Sequence, residues 1–557
     1  MSDLHLPFWP AHAPRHLWVP ETHLYRNVEV SAMRFPRKPF VIFYDTVISF
    51  SRFQHETEAI AGWLQQCCGV KKGDRVLLVM QNSPQLMAAF YGILRADAVV
   101  VPVNPMNLTQ ELRHMVSDSG AKVAFVAQEL FARLQPLLQP GGGPDTLDHA
   151  IVAAYSDYLE AATDLNVPEV VAAPRMPVTA PGAVAWADVL AAARVPGPLQ
   201  AGPDDLAIMP YTSGTTGHPK GCMHTHRTTL YNTVAGSVWG QVNQGAVGLA
   251  VLPMFHVTGM QANLNATLYV GSTVVLLPRW DRDAAAQCVH KHRITAMGLI
   301  TAMVIDFVAN PRLKDYDLSS LRRIAGGGAA MPKAVAQALE KLLGLKYGEG
   351  YGMSETMAAT HGNPPDRPKE QCLGMPLFDV DARVVDPDTL QELPQGQTGE
   401  IIVHGPQVML GYWNKPDATA QAFVTLDGKR FLRTGDLAYV DEEGYFFFVD
   451  RLKRMINAAG FKVWPAEVEA LLYQHPAIQE ACVIAAQDPR RGETVKAVVV
   501  LKPAFEGQVT EQQIADWAHE HMAAYKAPRI VQFARTLPKS GTGKVMWRQL
   551  QEAEKAG

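Results

Sequence analysis

Short apolar runs alternate with amphipathic stretches over the first half of the chain. Five runs rich in β-branched or other apolar residues have the length of strands, at 75–80, 98–103, 121–126, 248–252 and 272–277. Between them, residues 84–96 and 110–119 carry apolar positions at helical spacing. Strands that alternate with helices predict βαβ units and a mostly parallel sheet. We therefore expect a doubly wound α/β fold for the large N-terminal part of the chain.

The pattern changes along the second half of the chain. Residues 136–205 are rich in Gly, Pro and Ala, with a helix-like patch at 185–193. We interpret them as a connecting segment that leads to the loop at 211–221. Between residues 399 and 449, short strand-like runs are broken by Gly, Asn and Asp, which predicts a β-rich subdomain. The chain is then expected to end in a small α+β domain.

The predicted C-terminal domain has its own alternation of elements. We expect helices at 465–475 and 510–522 and strands at 481–486 and 496–501. The predicted domains are therefore residues 1–449 and residues 450–557.

Composition places the chain among globular proteins. It has 557 residues, of which 48% are hydrophobic and 19% charged, with a formal net charge of −4. This charge predicts no nucleic-acid partner. The 6 cysteines show no C-x-x-C spacing, and no secretory signal or long uninterrupted apolar stretch is evident, so we expect a cytoplasmic protein without a transmembrane segment. Peripheral membrane contact and homo-oligomers stay open.

Residues 211–221 form a loop suited to phosphate. They read Tyr-Thr-Ser-Gly-Thr-Thr-Gly-His-Pro-Lys-Gly and follow a short apolar segment. Glycines let backbone N–H groups approach an anion, hydroxyls donate further hydrogen bonds, and the Lys220 ammonium supplies charge. The spacing does not fit G-x-x-x-x-G-K-[ST], so this is not the P-loop of common NTPases. An ordinary surface loop of this composition is the alternative.

Three further segments carry candidate chemistry. Glu355 follows a glycine turn, and one carboxylate is enough for Mg²⁺ when phosphates and water complete its coordination. Asp436 follows a tight turn and suits the two hydroxyls of a ribose. The structural alternatives are a solvated surface side chain for Glu355 and a turn-capping side chain for Asp436. From Tyr525 to Arg548, six basic residues occur without an acidic one, and this run includes a second glycine-rich loop that ends at Lys544.

The order and spacing of these segments resemble the adenylate-forming superfamily, which includes acyl-CoA synthetases, firefly-type luciferases and peptide-synthetase adenylation domains. The resemblance covers residues from about 30 to 550. It rests on the following motifs: Y-T-S-G-T-T-G-H-P-K-G at 211–221, L-P-M-F-H at 252–256, G-G-G-A-A-M-P at 326–332, Y-G-M-S-E at 351–355, G-E-I-I-V-H-G-P at 399–406, T-G-D at 434–436, D-R-L-K-R-M-I-N-A-A-G-F-K-V-W-P-A-E-V-E at 450–469 and G-T-G-K at 541–544.

The resemblance implies a two-step ligase that uses ATP, Mg²⁺ and coenzyme A. A carboxylate attacks the α-phosphate of ATP to give acyl-AMP and pyrophosphate, and CoA then displaces AMP. The resemblance assigns the following residues to ATP and AMP: Thr212, Ser213, Gly214, Thr215, Thr216, Lys220, Gly327, Gly328, Ala329, Tyr351, Gly352, Ser354, Thr356, Asp436 and Arg451. It implies that residues 327–330 and Tyr351 form the adenine slot and that Asp436 and Arg451 hold the ribose. Glu355 and Thr216 are the expected metal ligands.

The same resemblance implies a mobile C-terminal domain. Lys544 is expected to reach the carboxylate and the α-phosphate in the first step, where a fixed cation lets two anions approach. A rotation about a hinge at Asp450 then withdraws it and forms the pantetheine tunnel. The expected CoA-binding residues are Gly460, Phe461, Lys462 and Lys526.

The acyl substrate is predicted from the residues around one histidine. His256 matches the position where the family places a gate at the mouth of the acyl pocket, and packing is its alternative role. The expected pocket residues are His256, Val257, Gly259, Met303 and Gly326. We see no charged side chain among them, which favours an apolar acid, a medium- to long-chain fatty acid above all, with arylalkanoic acids as the alternative.

The chain departs from the family pattern at three places. Ser354 replaces the usual Thr, Glu349 stands where relatives often have Gln, and Met546 stands where relatives often carry a basic residue. Three other functions stay open: a ligase that loads a carrier protein, a non-catalytic adenylate sensor, and a luciferase-like oxygenase. Retention of Lys220, Glu355, Asp436 and Lys544 argues against the sensor.

Overall fold

The computed structural model describes residues 4–212, 219–327, 331–458, 461–488, 492–539 and 545–556. By the density of its internal contacts the chain divides into two compact units. The larger unit comprises His5–Asp381 and Val403–Leu432, and the smaller comprises Met1–Leu4, Ala382–Ile402 and Arg433–Gly557. The predicted domain boundary between residues 449 and 450 stays a prediction.

A seven-stranded sheet lies in the N-terminal half of the larger unit. Its strands, in spatial order, are His224–Thr225, Leu206–Ile208, Val99–Pro102, Arg75–Val79, Val123–Ala127, His149–Ala153 and Ala183–Ala185. All neighbouring pairs are parallel except the one between His224–Thr225 and Leu206–Ile208. The central strands are buried on both faces, which explains their continuous apolar sequence.

A nine-stranded sheet carries the predicted site residues Gly326, Gly327, Tyr351 and Gly352. Its strands, in spatial order, are Met375–Pro376, Ala358–Gly362, Tyr347–Met353, Arg323–Gly327, Ala296–Gly298, Val247–Ala250, Thr273–Leu276, Pro39–Phe43 and Thr46–Ser49. The central strands are parallel and both edges are antiparallel. The two sheets confirm the predicted α/β fold, and each predicted strand lies within three residues of an observed one.

Helices separate the parallel strands of the larger unit. They span Arg26–Arg34, Phe50–Gln66, Pro84–Arg95, Thr109–Ser119, Phe131–Leu134, Glu169–Ala172, Trp186–Ala191, His226–Trp239, Val257–Gly259, Ala266–Val270, Arg282–His292, Thr301–Val308, Lys333–Leu343 and Pro416–Ala422, with a π-helical turn at Met260–Asn265. Helix Pro84–Arg95 begins where the Ser83 hydroxyl accepts from the Leu86 N–H at 3.1 Å. Among the described residues, no helix combines the length and apolarity needed to cross a membrane.

The strand Lys429–Val440 passes from the larger unit into the smaller one. Its first residues pair antiparallel with Phe423–Leu426 in the larger unit. Its later residues pair antiparallel with Phe446–Arg451 in the smaller unit. Further strands span Asp381–Val385 and Gly399–His404. This run of strands confirms the β-rich region predicted at 399–449.

A five-stranded sheet forms the core of the smaller unit. Strands Phe461–Val463, Ile456–Ala458, Gly492–Leu501 and Ile478–Asp488 follow one another, and Ile530–Phe533 pairs with Gly492–Leu501. The helices of this unit span Pro465–Leu472, Glu511–His521 and Trp547–Ala556. The predicted α+β arrangement of the C-terminal segment is therefore confirmed.

Candidate active site

The ends of the predicted phosphate loop form a small β-ribbon. Strand Tyr211–Thr212 pairs antiparallel with Lys220–Gly221. The Tyr211 hydroxyl donates to a carboxylate oxygen of Asp118 at 2.8 Å, and His114 Nε2 lies 3.0 Å from the Pro219 carbonyl oxygen. Both partners come from helix Thr109–Ser119, so this helix fixes the two ends of the loop.

The segment 409–413 connects the phosphate ribbon to the turn that carries Glu355. The Trp413 N–H donates to the Gly221 carbonyl at 2.8 Å, and the Met223 N–H donates to the Gly411 carbonyl at 2.9 Å. At its other end, the Met409 N–H donates to the Glu355 carbonyl at 2.8 Å. One short segment thereby sets the position of the loop lysine relative to the candidate metal ligand.

Tyr412 lies between Lys220 and Glu355. The Lys220 Nζ is 4.2 Å from the centroid of the Tyr412 ring, a cation–π distance. The Tyr412 hydroxyl donates to Glu355 Oε1 at 2.8 Å. Glu355 is 8% exposed, and burial raises the pKa of the Tyr412 hydroxyl, so this hydroxyl keeps its proton and acts as a donor.

A buried histidine holds the turn Ser354–Thr356. Burial lowers the pKa of His224 to about 4, so the ring is neutral at pH 7. Its Nε2–H donates to the Ser354 carbonyl oxygen at 2.8 Å. The buried Thr356 hydroxyl donates to the Ala358 carbonyl at 2.7 Å and accepts from the Met353 N–H at 3.1 Å. The backbone around Glu355 is therefore fixed on both sides.

The predicted adenine residues lie at the end of strand Tyr347–Met353 and on its neighbour. The Tyr351 ring packs edge-on against His361, with centroids 5.6 Å apart. Gly327 pairs with Gly350 in the parallel register. A Cβ at Gly352 would lie 1.7 Å from the Ala358 carbonyl oxygen, so this close approach requires glycine.

Glu349 is a buried residue of strand Tyr347–Met353. Its two carboxylate oxygens accept from the Gln371 N–H at 2.9 Å and from the Met331 N–H at 3.3 Å. Burial raises the pKa of Glu349 to about 7 despite these two donors, and Glu370 adds to the rise. The departure from Gln at this position thus adds a group that titrates near neutral pH.

The smaller unit holds the two predicted ribose residues. Asp436 and Arg451 are register partners on antiparallel strands, and Arg451 Nε lies 3.1 Å from Asp436 Oδ1. Asp436 is 4% exposed, and its N–H donates to the Thr434 hydroxyl at 3.1 Å. The preceding Gly435 has a φ of 68°, which a residue with a side chain adopts only under strain.

Asp450, the predicted hinge, is an interior residue of the smaller unit. It is 1% exposed. Its carboxylate accepts from the Arg451 N–H at 2.7 Å and from the Ala466 N–H at 2.6 Å, and the second bond fixes the start of helix Pro465–Leu472. Lys526, a predicted CoA-binding residue, is paired with the Glu467 carboxylate.

The predicted acyl residues have different local environments. His256 caps the helical segment that begins at Val257, and Met303 is half-buried on helix Thr301–Val308. A Cβ at Gly259 would lie 2.3 Å from the Pro253 carbonyl oxygen, and one at Gly326 would lie 2.0 Å from the Leu299 carbonyl oxygen. Packing against backbone thus accounts for both glycines, and their role in acyl binding stays a prediction.

Several predicted site residues lie outside the described part of the chain. They are Ser213, Gly214, Thr215, Thr216, Gly328, Ala329, Gly460 and Lys544. The side chains of Phe461 and Lys462 also lie outside the description.

Three residues that position the site are not predicted by the sequence motifs. Tyr412 holds Glu355, and His224 holds the turn Ser354–Thr356. Asp118 holds the start of the phosphate loop at Tyr211. Tyr412 offered a weak signal, since it is an aromatic residue directly after a glycine near the G-E-I-I-V-H-G-P motif. His224 and Asp118 offered none, because a single buried polar residue is common in any core.

Two family models match the chain. The model of the AMP-binding enzyme matches residues 28–413, and that of the AMP-binding enzyme C-terminal domain matches residues 467–544. The first of these alone spans more than half of the chain.

Similar proteins cover almost the full chain. A Bacillus subtilis (strain 168) protein named long-chain-fatty-acid–CoA ligase is 35% identical, with 98% of this chain and 97% of the relative covered. A rice (Oryza sativa subsp. japonica) protein named 4-coumarate–CoA ligase 3 is 33% identical, with 88% and 84% covered. The crystal structure of ATP-bound MatB from Rhodopseudomonas palustris has a TM-score of 0.81 at 27% identity, with 95% and 99% covered. The chain therefore belongs to the AMP-binding enzyme family, as an adenylate-forming acid–thiol ligase of the acyl-CoA synthetase branch that uses ATP and CoA.

Proposed function

We propose that this ligase converts a medium- to long-chain fatty acid to its CoA thioester through acyl-AMP. In the first step a carboxylate oxygen bonds to the α-phosphorus of ATP, and pyrophosphate leaves. In the second step the CoA sulfur bonds to the acyl carbon, AMP leaves, and the thiol proton passes to solvent. The series Lys220, Tyr412 and Glu355 carries this proposal, because it joins a phosphate-binding cation to a candidate metal ligand.

Lys220 holds the leaving pyrophosphate in this proposal. The Tyr412 ring fixes the ammonium by a cation–π contact, and the ribbon Tyr211–Thr212 with Lys220–Gly221 places it at the mouth of the loop. A cation fixed in advance needs little reorganisation when charge moves onto the β-phosphate, so it lowers the barrier. The hydroxyls and N–H groups of residues 212–216 complete the anion site.

Glu355 fits a magnesium ligand by its chemistry. Its carboxylate is buried and oriented by the Tyr412 hydroxyl, and Mg²⁺ takes oxygen ligands. Among the described residues, no group of three His, Cys, Asp or Glu side chains is placed to hold a metal ion by itself. Phosphate oxygens, water and the Thr216 hydroxyl would complete the coordination. Mg²⁺ bound there neutralises charge on the phosphates.

The smaller unit supplies the ribose and CoA contacts in this proposal. The Asp436 carboxylate accepts from the ribose hydroxyls, and its ion pair with Arg451 orients it. The Lys544 ammonium reduces the repulsion between the substrate carboxylate and the α-phosphate as they approach each other. Rotation of residues 450–557 about Asp450 then brings Gly460, Phe461, Lys462 and Lys526 to CoA. The match of the C-terminal family model to residues 467–544 supports this assignment.

The fatty-acid substrate is supported by similarity to the Bacillus subtilis ligase over nearly the whole of both chains. The similarity to the rice 4-coumarate–CoA ligase supports an aryl acid as the second candidate. A carrier-protein acceptor, a cytoplasmic location, peripheral membrane contact and a homo-oligomer stay predictions.

A substrate screen tests the proposed function. Pyrophosphate release and thioester formation are measured with octanoate, dodecanoate, hexadecanoate, phenylacetate and 4-coumarate, each with and without CoA. We expect turnover of the alkanoates with CoA, and Lys220→Met should lower it because the phosphate cation is lost. Turnover of the aryl acids alone would favour the second candidate. Absence of pyrophosphate release with every acid would contradict ligase activity on both substrate classes.

A further inference from the structure

Arg323 begins the strand that leads to the predicted adenine residue Gly327. Arg323 is half-buried, and burial lowers the pKa of its guanidinium without a carboxylate to offset the effect. Part of the side chain nevertheless stays accessible. Among the residues that the structure describes, no acid pairs with Arg323, and no hydrogen bond satisfies its guanidinium. A partly desolvated cation without an acidic neighbour favours a ligand of opposite charge.

Apart from Arg323 itself, the four strands Val247–Ala250, Ala296–Gly298, Arg323–Gly327 and Tyr347–Met353 bear only small residues on the face that Arg323 shares. Cross-strand partners share a face. The register joins Gly248 to Ala296, Ala296 to Arg323, Gly298 to Ala325, Ala325 to Gly348 and Gly327 to Gly350. We call this set of glycines and alanines the small-residue strip: Gly248, Ala296, Gly298, Ala325, Gly327, Gly348 and Gly350. Every residue of the strip is half-buried, whereas the opposite face carries buried Leu249, Met297, Ile324 and Tyr347.

The C-terminal end of helix His226–Trp239 lies beside the small-residue strip. A Cβ at Gly240 would lie 2.1 Å from Arg323 Nη1, and a Cβ at Gly362, the register partner of Gly350, would lie 3.1 Å from Trp239 Nε1. Most of this helix is buried, yet Gly236 is exposed, and a Cβ there would meet nothing within 4 Å. A Cβ at Gly248 would likewise meet nothing within 4 Å. The half-burial of the strip and these two open positions indicate that the strip forms the floor of a groove.

The groove runs from the nucleotide end of the sheet to Arg323. Gly327 and Arg323 are four residues apart on one strand, a separation of about 13 Å. The side chain of Leu252, which belongs to the L-P-M-F-H motif, lies over Gly298 at 3.2 Å from its would-be Cβ. An acyl chain whose carboxylate is at the nucleotide end would thus pass over apolar surface and finish at the guanidinium.

We propose that Arg323 binds a second carboxylate at the far end of the acyl chain, so that the preferred substrate is a medium-length dicarboxylic acid. This inference rests on the proposed ligase function. A purely structural role is the competing explanation, because the guanidinium lies at the C-terminal end of helix His226–Trp239, where a cation is favoured. The two roles differ in what they predict for substrate choice.

Matched pairs of acids separate these roles. We would measure kcat/KM for wild type, Arg323→Leu and Arg323→Lys with octanoate and octanedioate, and with dodecanoate and dodecanedioate. The wild type should prefer the dicarboxylate of a pair. Arg323→Leu should lower kcat/KM for the dicarboxylate by about 10- to 100-fold, the range for a hydrogen bond to a charged group. The same variant should not lower kcat/KM for the monocarboxylate. Arg323→Lys should retain part of the preference.

Arg322→Leu is the matched control, because Arg322 is exposed and donates to the Ser319 carbonyl. It should leave the preference unchanged. Equal losses on both acids in Arg323→Leu, or a wild type that prefers the monocarboxylate, would overturn the proposal while leaving the ligase function intact. Failure of the wild type with every acid would instead refute the proposed function. Thermal unfolding of each variant shows whether the fold is retained.

Discussion

The hydroxyl of Tyr412 donates a hydrogen bond to Glu355 at 2.8 Å. The ring of the same tyrosine lies 4.2 Å below the Lys220 ammonium. One side chain thus sets the spacing between the cation that is proposed to hold pyrophosphate and the carboxylate that is proposed to bind Mg²⁺. A change at either end of Tyr412 should therefore affect the first chemical step.

Tyr412→Phe should slow acyl-AMP formation. The variant keeps the ring under Lys220 and removes only the donor to Glu355, so the carboxylate loses its orientation. We expect kcat/KM for ATP to fall by about 10-fold, and the Mg²⁺ concentration for half-maximal rate to rise. Pyrophosphate release measured over a range of Mg²⁺ concentrations checks both effects.

Tyr316→Phe provides the comparison for this change. Tyr316 accepts a hydrogen bond from Arg312 and takes no part in the proposed site. It should show wild-type rates and wild-type Mg²⁺ dependence. If Tyr412→Phe showed the same rates and the same Mg²⁺ dependence as Tyr316→Phe, the Tyr412 hydroxyl would have no part in positioning Glu355.

Glu349→Gln should change how stability depends on pH. The pKa of Glu349 is raised by burial from 4.5 to about 7, so the folded state binds a proton more tightly than the unfolded state does. The wild type therefore loses stability as pH rises from about 4.5 to 7, by about 3 kcal/mol, and the loss levels off above pH 7.

The Gln variant lacks this titration, so its unfolding free energy relative to wild type should rise between pH 5 and pH 8. Urea unfolding at the two pH values measures the difference. Glu340→Gln changes an exposed glutamate on helix Lys333–Leu343 and should show no such trend. Parallel pH profiles for wild type and Glu349→Gln would mean that Glu349 does not titrate in this window.

Much of the fold could be predicted because its signals are local. The strand Arg75–Val79 is buried on nearly every residue and therefore reads as a continuous apolar run. Helix Pro84–Arg95 has a capping serine and a proline at its start. Glu355, Asp436 and Lys220 were found because each lies in a short motif of fixed spacing.

The remaining site residues depend on pairing between distant segments. Tyr412 reaches Glu355 only because segment 409–413 pairs with the ribbon that contains Lys220. Arg322 and Arg323 are adjacent in sequence, and strand register alone decides which of them faces the groove. The expectation of an uncharged acyl pocket therefore omitted Arg323. The pattern of hydrophobic positions along a chain shows neither which distant segments pair nor in which register two strands pair.

Lys544→Ala should separate the two half-reactions. In the proposed mechanism Lys544 neutralises two approaching anions in the first step and is withdrawn in the second. Acyl-AMP formation should fall by about 100-fold or more, whereas thioester formation from supplied acyl-AMP should largely survive. Lys539 lies shortly before Lys544 in the sequence and is paired with Glu480. Lys539→Ala is therefore the control, and it should affect neither step strongly. Equal loss of both half-reactions would contradict the withdrawal of Lys544.

Asp450→Ala should loosen the start of helix Pro465–Leu472. The buried carboxylate accepts from the Ala466 N–H at 2.6 Å, and its removal leaves that donor without this partner. An unsatisfied buried donor costs about 1–3 kcal/mol, so hydrogen exchange at Ala466 should accelerate by about 10- to 100-fold. Asp450→Asn retains an acceptor oxygen and should show a smaller effect. Unchanged exchange in the Ala variant would mean that the helix start is held by other contacts, and Asp450 could then serve as a hinge without anchoring this helix.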